Sequence, residues 1–246
     1  MRKSLLLLAA AFVSFGAQAK VRLHHLVSDN MVLQCSSEAR LWGWDTPGKT
    51  VSVSTSWSKD VVTARATKDG SWEVRIRTPK ASFTPLTITF DDGEQTTIKG
   101  VLSGEVWVCA GQSNMEMPVR GFDGCPVEGY NDAVIDAANF SGVRYAKIPS
   151  QMSMDPKQDA DTRWTVVSPS TVGGASATGY FFGRLISKSL GVPVGLIEAN
   201  KGGTRVESWL NLDNLKANTD EKLDKLSIDA IKTDYYRPLV WGNATF

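Results

Sequence analysis

Between Val21 and Gly100 the apolar positions come in short runs rich in Val, Thr, Trp and Ile, broken at regular intervals by WDTPGK (44–49), TKDGSW (67–72) and FDDGEQ (90–95). Within two of the runs, TVSVSTSW (50–57) and SWEVRIRT (71–78), apolar and polar residues alternate one by one, which is the period of a half-buried strand. Asp69-Gly70 and Asp92-Gly93 are dipeptides that suit hairpin turns. The pattern predicts short antiparallel strands packed as a small β-sandwich over residues 20–100.

After Gly100 the period changes. GEVWVCA (104–110) is a compact apolar run, NDAVIDAANF (131–140) has helical spacing, VRYAKI (143–148) is a strand, and VPVGLIEAN (192–200) is again continuously apolar. Between the last two, ATGYFFGRLISKSLG places Phe181, Phe182, Leu185, Ile186 and Leu190 at intervals of three and four before Gly191, which predicts a helix with those residues on its apolar face. Strands apolar on both faces that alternate with helices indicate a parallel sheet covered by helices, so residues 101–246 are expected to form an α/β domain. The stretch from Asp213 to Tyr236 is polar and reads as a surface helix, and the chain stops on the apolar RPLVWGNATF (237–246).

Composition narrows the partners. With 27 basic and 26 acidic residues among 246, and no sustained run of either sign, the chain has no electrostatic footprint for nucleic acid. Residues 1–19 join Arg2 and Lys3 to an apolar run and then Ala17-Gln18-Ala19, the layout of a secretory signal peptide cut after Ala19. The mature chain is thus expected to be exported, periplasmic or extracellular, with no membrane insertion. The three cysteines, Cys35, Cys109 and Cys125, allow one bridge, of which Cys109 to Cys125 is one option and three buried thiols are another.

Candidate chemistry sits where the apolar runs end. In an open α/β sheet, reactive groups gather beyond the carboxyl ends of the strands. Ser113 lies there, after Gly111, which lets the chain bend, and between the polar Gln112 and Asn114. It reads either as a presented nucleophile or as the cap of a short helix. The second strand end repeats the layout with Gly202-Gly203-Thr204, whose bare backbone N–H groups could stabilise an oxyanion or simply turn into a helix capped by Thr204. No His or carboxylate cluster has metal-ligand spacing, and no cofactor is implied.

GEVWVCAGQSNMEMP (104–118) resembles the first block of the SGNH hydrolases, in particular the carbohydrate-esterase branch of sialate O-acetylesterases and acetylxylan esterases. LVSDNMVLQ (26–34), WGWDTPGKTVSV (42–53), ATGYFFGRLI (177–186) and GVPVGLIEANKGGTRVESW (191–209) resemble the sialate O-acetylesterase type. The resemblance implies a flavodoxin-like three-layer SGNH domain, here incomplete, that hydrolyses O-acetyl esters on sugars or glycans. It implies Ser113 as nucleophile, its own N–H as one oxyanion donor, Gln112 and Asn114 beside the substrate, and a second donor from Gly202 or Gly203, with Gly203 favoured. The family's oxyanion asparagine block and its Asp-x-x-His block are not found.

The only histidines, His24 and His25, fall in the first β segment and are expected to be surface or turn residues. A serine hydroxyl without a positioned base is a weak nucleophile, so the chain is expected to be the amino-terminal portion of a longer esterase, weakly active or inactive as given. The competing class is a non-catalytic carbohydrate-binding β-sandwich in which Trp42, Trp44, Trp57 and Trp72 stack on sugar rings rather than fill a core. Glu116 and Asp123, two acids near the serine, are expected to be solvated or capping.

Overall fold

The computed structural model of the chain describes residues 20–150 and 157–204, with Trp209, Asn214 and Ala217. The expected signal peptide, most of the expected helix from Asp213 to Tyr236 and the apolar end of the chain lie outside the described residues. No helix among the described residues is long and apolar enough to cross a membrane.

Eight strands lead the chain into its central sheet: β1 (Arg22–Leu23), β2 (Val32–Gln34), β3 (Glu38–Trp44), β4 (Thr50–Thr55), β5 (Val61–Arg65), β6 (Ser71–Arg77), β7 (Ser82–Asp91) and β8 (Gln95–Gly111). They are antiparallel neighbours except for β2, which runs parallel to β8 at Val32↔Leu102. One sheet has the order β1-β3-β6, and the other continues β8-β7-β4-β5. The inward residues of the two, Leu41, Val74 and Ile76 from the first and Val51, Val53, Ile88 and Phe90 from the second, share one apolar cluster. Trp72 is part of it, tilted against Phe90 with ring centroids 5.7 Å apart.

Asp92-Gly93 does close a hairpin, β7 with β8, paired at Asp91↔Gln95. Asp69-Gly70 makes a tight turn, with the Gly70 N–H donating to the Thr67 carbonyl, but no hairpin follows. Its two flanking strands go to different sheets, β5 to β4 and β6 to β3, because each needs its apolar face on the shared core from opposite sides.

Strand β8 is 17 residues long and changes partners along its length. Its first part pairs with β7; its last part, from Glu105, pairs in parallel with β11 (Val194–Asn200). Between them come helix α1 (Ser113–Glu116), helix α2 (Tyr130–Asp136), β9 (Val143–Lys147), β10 (Trp164–Val166) and helix α3 (Ala177–Leu190). Strand β11 lies between β8 and β9, parallel to both, and β10 closes that side antiparallel to β9. The result is a mixed α/β chain with a multi-stranded sheet.

The helices cover one face of the parallel strands, where Cys109, Val143, Tyr145, Val194 and Leu196 pack with Tyr180 and Ala133. The opposite face, through Ala146 and Ile197, joins the cluster of the amino-terminal strands together with Leu26, Val27 and Met31. Helix-on-both-faces coverage is therefore not what the described residues form: the β layers themselves serve as the second cover.

Helix α3 departs from its expected face. Gly179, Tyr180, Gly183 and Ser187 are buried, whereas Phe182, Leu185 and Leu190 are exposed. The cause is close approach: an added Cβ at Gly183 would stand 3.1 Å from Leu196 Cδ1, so only the glycine side of the helix fits against β11.

Candidate active site

Parallel pairing sets the site. Gly111 ends β8 in register with Asn200, the last residue of β11, and the Lys201 N–H donates to the Gly111 carbonyl at 3.0 Å. Both chains then leave the sheet at the same level, so Gln112-Ser113 and Gly202-Gly203 emerge side by side. A Cβ placed on Gly202 would lie 3.7 Å from both Cα and Cβ of Ser113. Gly203 has φ +74°, the left-handed region that a glycine adopts without strain.

Ser113 is half-buried at the first position of α1, and the cap of that helix is Gln112, not Ser113. The serine hydroxyl is thereby left over from capping. It donates to Gln112 Oε1 at 2.8 Å, the Ser113 N–H donates to the same oxygen at 2.9 Å, and the Gly203 N–H reaches it at 3.4 Å. Two of these three groups are backbone donors, which fixes the shared atom as the amide oxygen rather than the nitrogen. Asn114 is exposed, and its backbone carbonyl accepts from Thr178 Oγ1 at 3.0 Å.

The two glycines differ. The Gly202 N–H is already taken by Glu116 Oε2 at 2.7 Å, and Glu116 Oε1 also lies 3.8 Å from Lys201 Nζ. The Gly203 N–H instead reaches Gln112 Oε1, the oxygen that also accepts the Ser113 N–H and hydroxyl. Glu116, expected from the sequence to be solvated or capping, thus holds the glycine loop by its backbone; the signal lay in the fold, since the N–H that it accepts is 86 positions away.

Beneath the loops is a polar floor that the sequence did not announce. Glu198, fully buried, accepts the Ser176 N–H at 2.7 Å, while Ser176 Oγ caps α3 by accepting from the Gly179 N–H at 3.1 Å. Burial pushes the Glu198 carboxyl up to about 7. Burial, and secondarily the Glu198 charge, pushes the Cys109 thiol up to about 11, so Cys109 is a poor nucleophile there. The Ala177 N–H binds the Met117 carbonyl at 2.8 Å, stitching the segment after Ser113 to the start of α3.

All three cysteines are free: Cys109 is buried, Cys35 half-buried and Cys125 exposed, so neither the bridge nor three buried thiols is found. His24 also differs from expectation. It is buried against Trp42, with centroids 4.7 Å apart, takes the Leu26 N–H on Nδ1 and places Nε2 3.3 Å from Asp159. His25 is exposed and holds the other oxygen of Asp159 at 3.0 Å. Neither has a contact with Ser113. Of the tryptophans, Trp72 is core, Trp42 and Trp57 pack on it, and Trp44 is covered by the Arg22 guanidinium 3.8 Å from its ring centroid. The sugar-stacking alternative gains nothing from these placements. No group of three or more His, Cys, Asp or Glu side chains that could hold a metal occurs among the described residues.

A mixed α/β sheet that presents a serine beside glycine amides is an architecture consistent with an esterase fold. No family model matches the chain. It is similar to the sialate O-acetylesterase of mouse, 29% identical over 94% of this chain and 46% of that protein, and to that of human, 27% identical over 90% and 45%. Among solved structures it is similar to a carbohydrate acetylesterase from Xanthomonas citri, with TM-score 0.73 and 29% identity, covering 89% of this chain and 48% of that one. These likenesses support a sialate O-acetylesterase-like family for the chain. The chain spans about half the length of the curated relatives it matches.

Proposed function

We propose that this chain is the nucleophile-bearing, amino-terminal portion of a carbohydrate O-acetylesterase of the sialate O-acetylesterase type. In this reading residues 20–100 are its β-sandwich, residues from 101 on are the first part of a flavodoxin-like SGNH domain, and the protein is exported to the periplasm or beyond. The observation that carries the reading is the convergence of the Ser113 hydroxyl, the Ser113 N–H and the Gly203 N–H on one point at the ends of two adjacent parallel strands.

The chemistry follows from that convergence. Ser113 Oγ attacks the acetyl carbonyl carbon as its proton passes to a base, and the carbonyl oxygen, now an oxyanion, takes the N–H groups of Ser113 and Gly203. Collapse expels the sugar hydroxyl, which recovers the proton, and water then cleaves the acetyl-serine to release acetate. In this reading neither histidine of the chain is that base, since His24 and His25 both lie against Asp159, and the base belongs to the remainder of the longer esterase. Loss of a triad member costs on the order of 10⁴-fold, so acetyl-ester turnover by this polypeptide alone should stay near background.

Labelling with a fluorophosphonate tests the assignment. Slow modification of the wild-type chain at Ser113, lost in Ser113→Ala, is expected. Labelling that survives the substitution, or maps to another residue, overturns it.

A further inference from the structure

We propose that the carboxamide of Gln112 is an internal stand-in for the acyl group, holding the oxyanion position in the resting site, and that an incoming carbonyl or carboxylate binds by displacing it. The inference rests on the esterase reading above and adds to it a role for Gln112 opposite to that of a substrate-holding residue.

Three observations carry it. An sp² carbonyl oxygen of the same kind as an ester carbonyl sits where the Ser113 N–H and Gly203 N–H meet, at 2.9 and 3.4 Å. The Ser113 hydroxyl points its proton at that oxygen, at 2.8 Å, so in this state it offers its proton to no base. Gln112 itself is exposed, so its side chain can turn into solvent without opening the core. By contrast the Gly202 N–H is held by Glu116, which keeps the glycine loop in place when Gln112 leaves.

The physical reason is local competition for the donors. Backbone N–H groups aimed at an oxyanion have no protein partner before substrate arrives, and at this exposed strand end they would bond mobile water, against which a side chain tethered at the same spot competes well. Gln112 satisfies both. Every ligand must then compete with it, so the apparent affinity is the intrinsic one reduced by the open fraction. Displacement exchanges hydrogen bonds only; no covalent bond is made or broken. It also frees the serine proton at the moment a carbonyl is in place.

Acetate, the expected product, is the probe. The amide ¹H–¹⁵N signals of Ser113 and Gly203 are followed in the labelled chain as sodium acetate is added at constant ionic strength. In Gln112→Ala acetate should bind about five- to tenfold more tightly than in wild type, one or two net hydrogen bonds being removed from the competition. In Gln112→Glu a tethered carboxylate takes the same place, and binding should fall below wild type. Equal or weaker binding in Gln112→Ala overturns the proposal, as does undiminished binding in Gln112→Glu should the alanine variant fail to fold. If acetate moves neither amide in any of the chains, the oxyanion site itself is absent and the esterase reading falls with the proposal. Movement of both amides without the predicted order of affinities removes the role of Gln112 alone.

Discussion

Glu198 is a carboxyl with no exposure whose hydrogen-bond partner among the described residues is the Ser176 N–H. Its pKa rises from 4.5 to about 7, so the folded chain retains a proton that the unfolded chain gives up between those values. Stability from this group is complete below about pH 4.5 and is lost as pH rises to about 7, by roughly 3 kcal/mol. His24 acts in the other direction: burial lowers its pKa below 6.5, so folding is disfavoured as pH falls beneath that value. The opposed signs mean that a wild-type stability curve would mask both. The difference between Glu198→Gln and wild type in urea unfolding isolates the carboxyl: it should be small at pH 4.5 and should favour the variant at pH 8. A difference independent of pH would show that Glu198 does not titrate in this range. The position of Ser113 and of the glycine pair just past two strand ends was legible because apolar runs and glycines are visible in one dimension. It missed Glu198 because an acid inside an apolar strand declares its burial only when a helix is laid over it.

At the scale of elements, the existence of strands and helices was legible and their facing was not. Period-two alternation located β4 and β6, and the helical spacing located α3. Which side of α3 faces the sheet was decided by Gly183 against Leu196, a contact between residues that the hydrophobic period treats as unrelated. Two substitutions test the facing together. Gly183→Leu should overpack that contact and destabilise the chain by about 1–3 kcal/mol, while Leu185→Lys, on a side chain 60% exposed, should change thermal stability by no more than about 0.5 kcal/mol. The reverse ranking in a melting experiment would mean that the bulky face is the packed one. Facing also decides what lies beside the site: Phe182 meets Trp107 edge-on at 5.0 Å, so the exposed side of α3 and the last part of β8 share one apolar strip.

For the molecule as a whole, Arg144 joins its parts. This β9 residue is buried and donates through one nitrogen to the carbonyls of Asn30 and Gly100, the first ahead of β2 and the second within β8. No carboxylate pairs with it among the described residues, and burial alone lowers its pKa to about 10. A buried cation is tolerated here because the two carbonyls would otherwise lack a donor. Arg144→Met fills similar volume without satisfying them and should cost about 1–3 kcal/mol, read as a lower Tm. An unchanged Tm would mean that water reaches both carbonyls. The hydrophobic period changes near Gly100 in the sequence; that one cation bridges the two sides of that change is a fact of three dimensions.

Because β8 continues from its hairpin with β7 to Gly111, bent at Gly100 where φ is +68°, one strand of 17 residues connects the far end of the antiparallel layers to the loop that carries Ser113. A flexible tether would let the two ends drift independently; a strand paired on β7, β2 and β11 in turn does not. Whatever grips the β7–β8 hairpin is therefore mechanically coupled to the position of Ser113 at the far tip of the same strand.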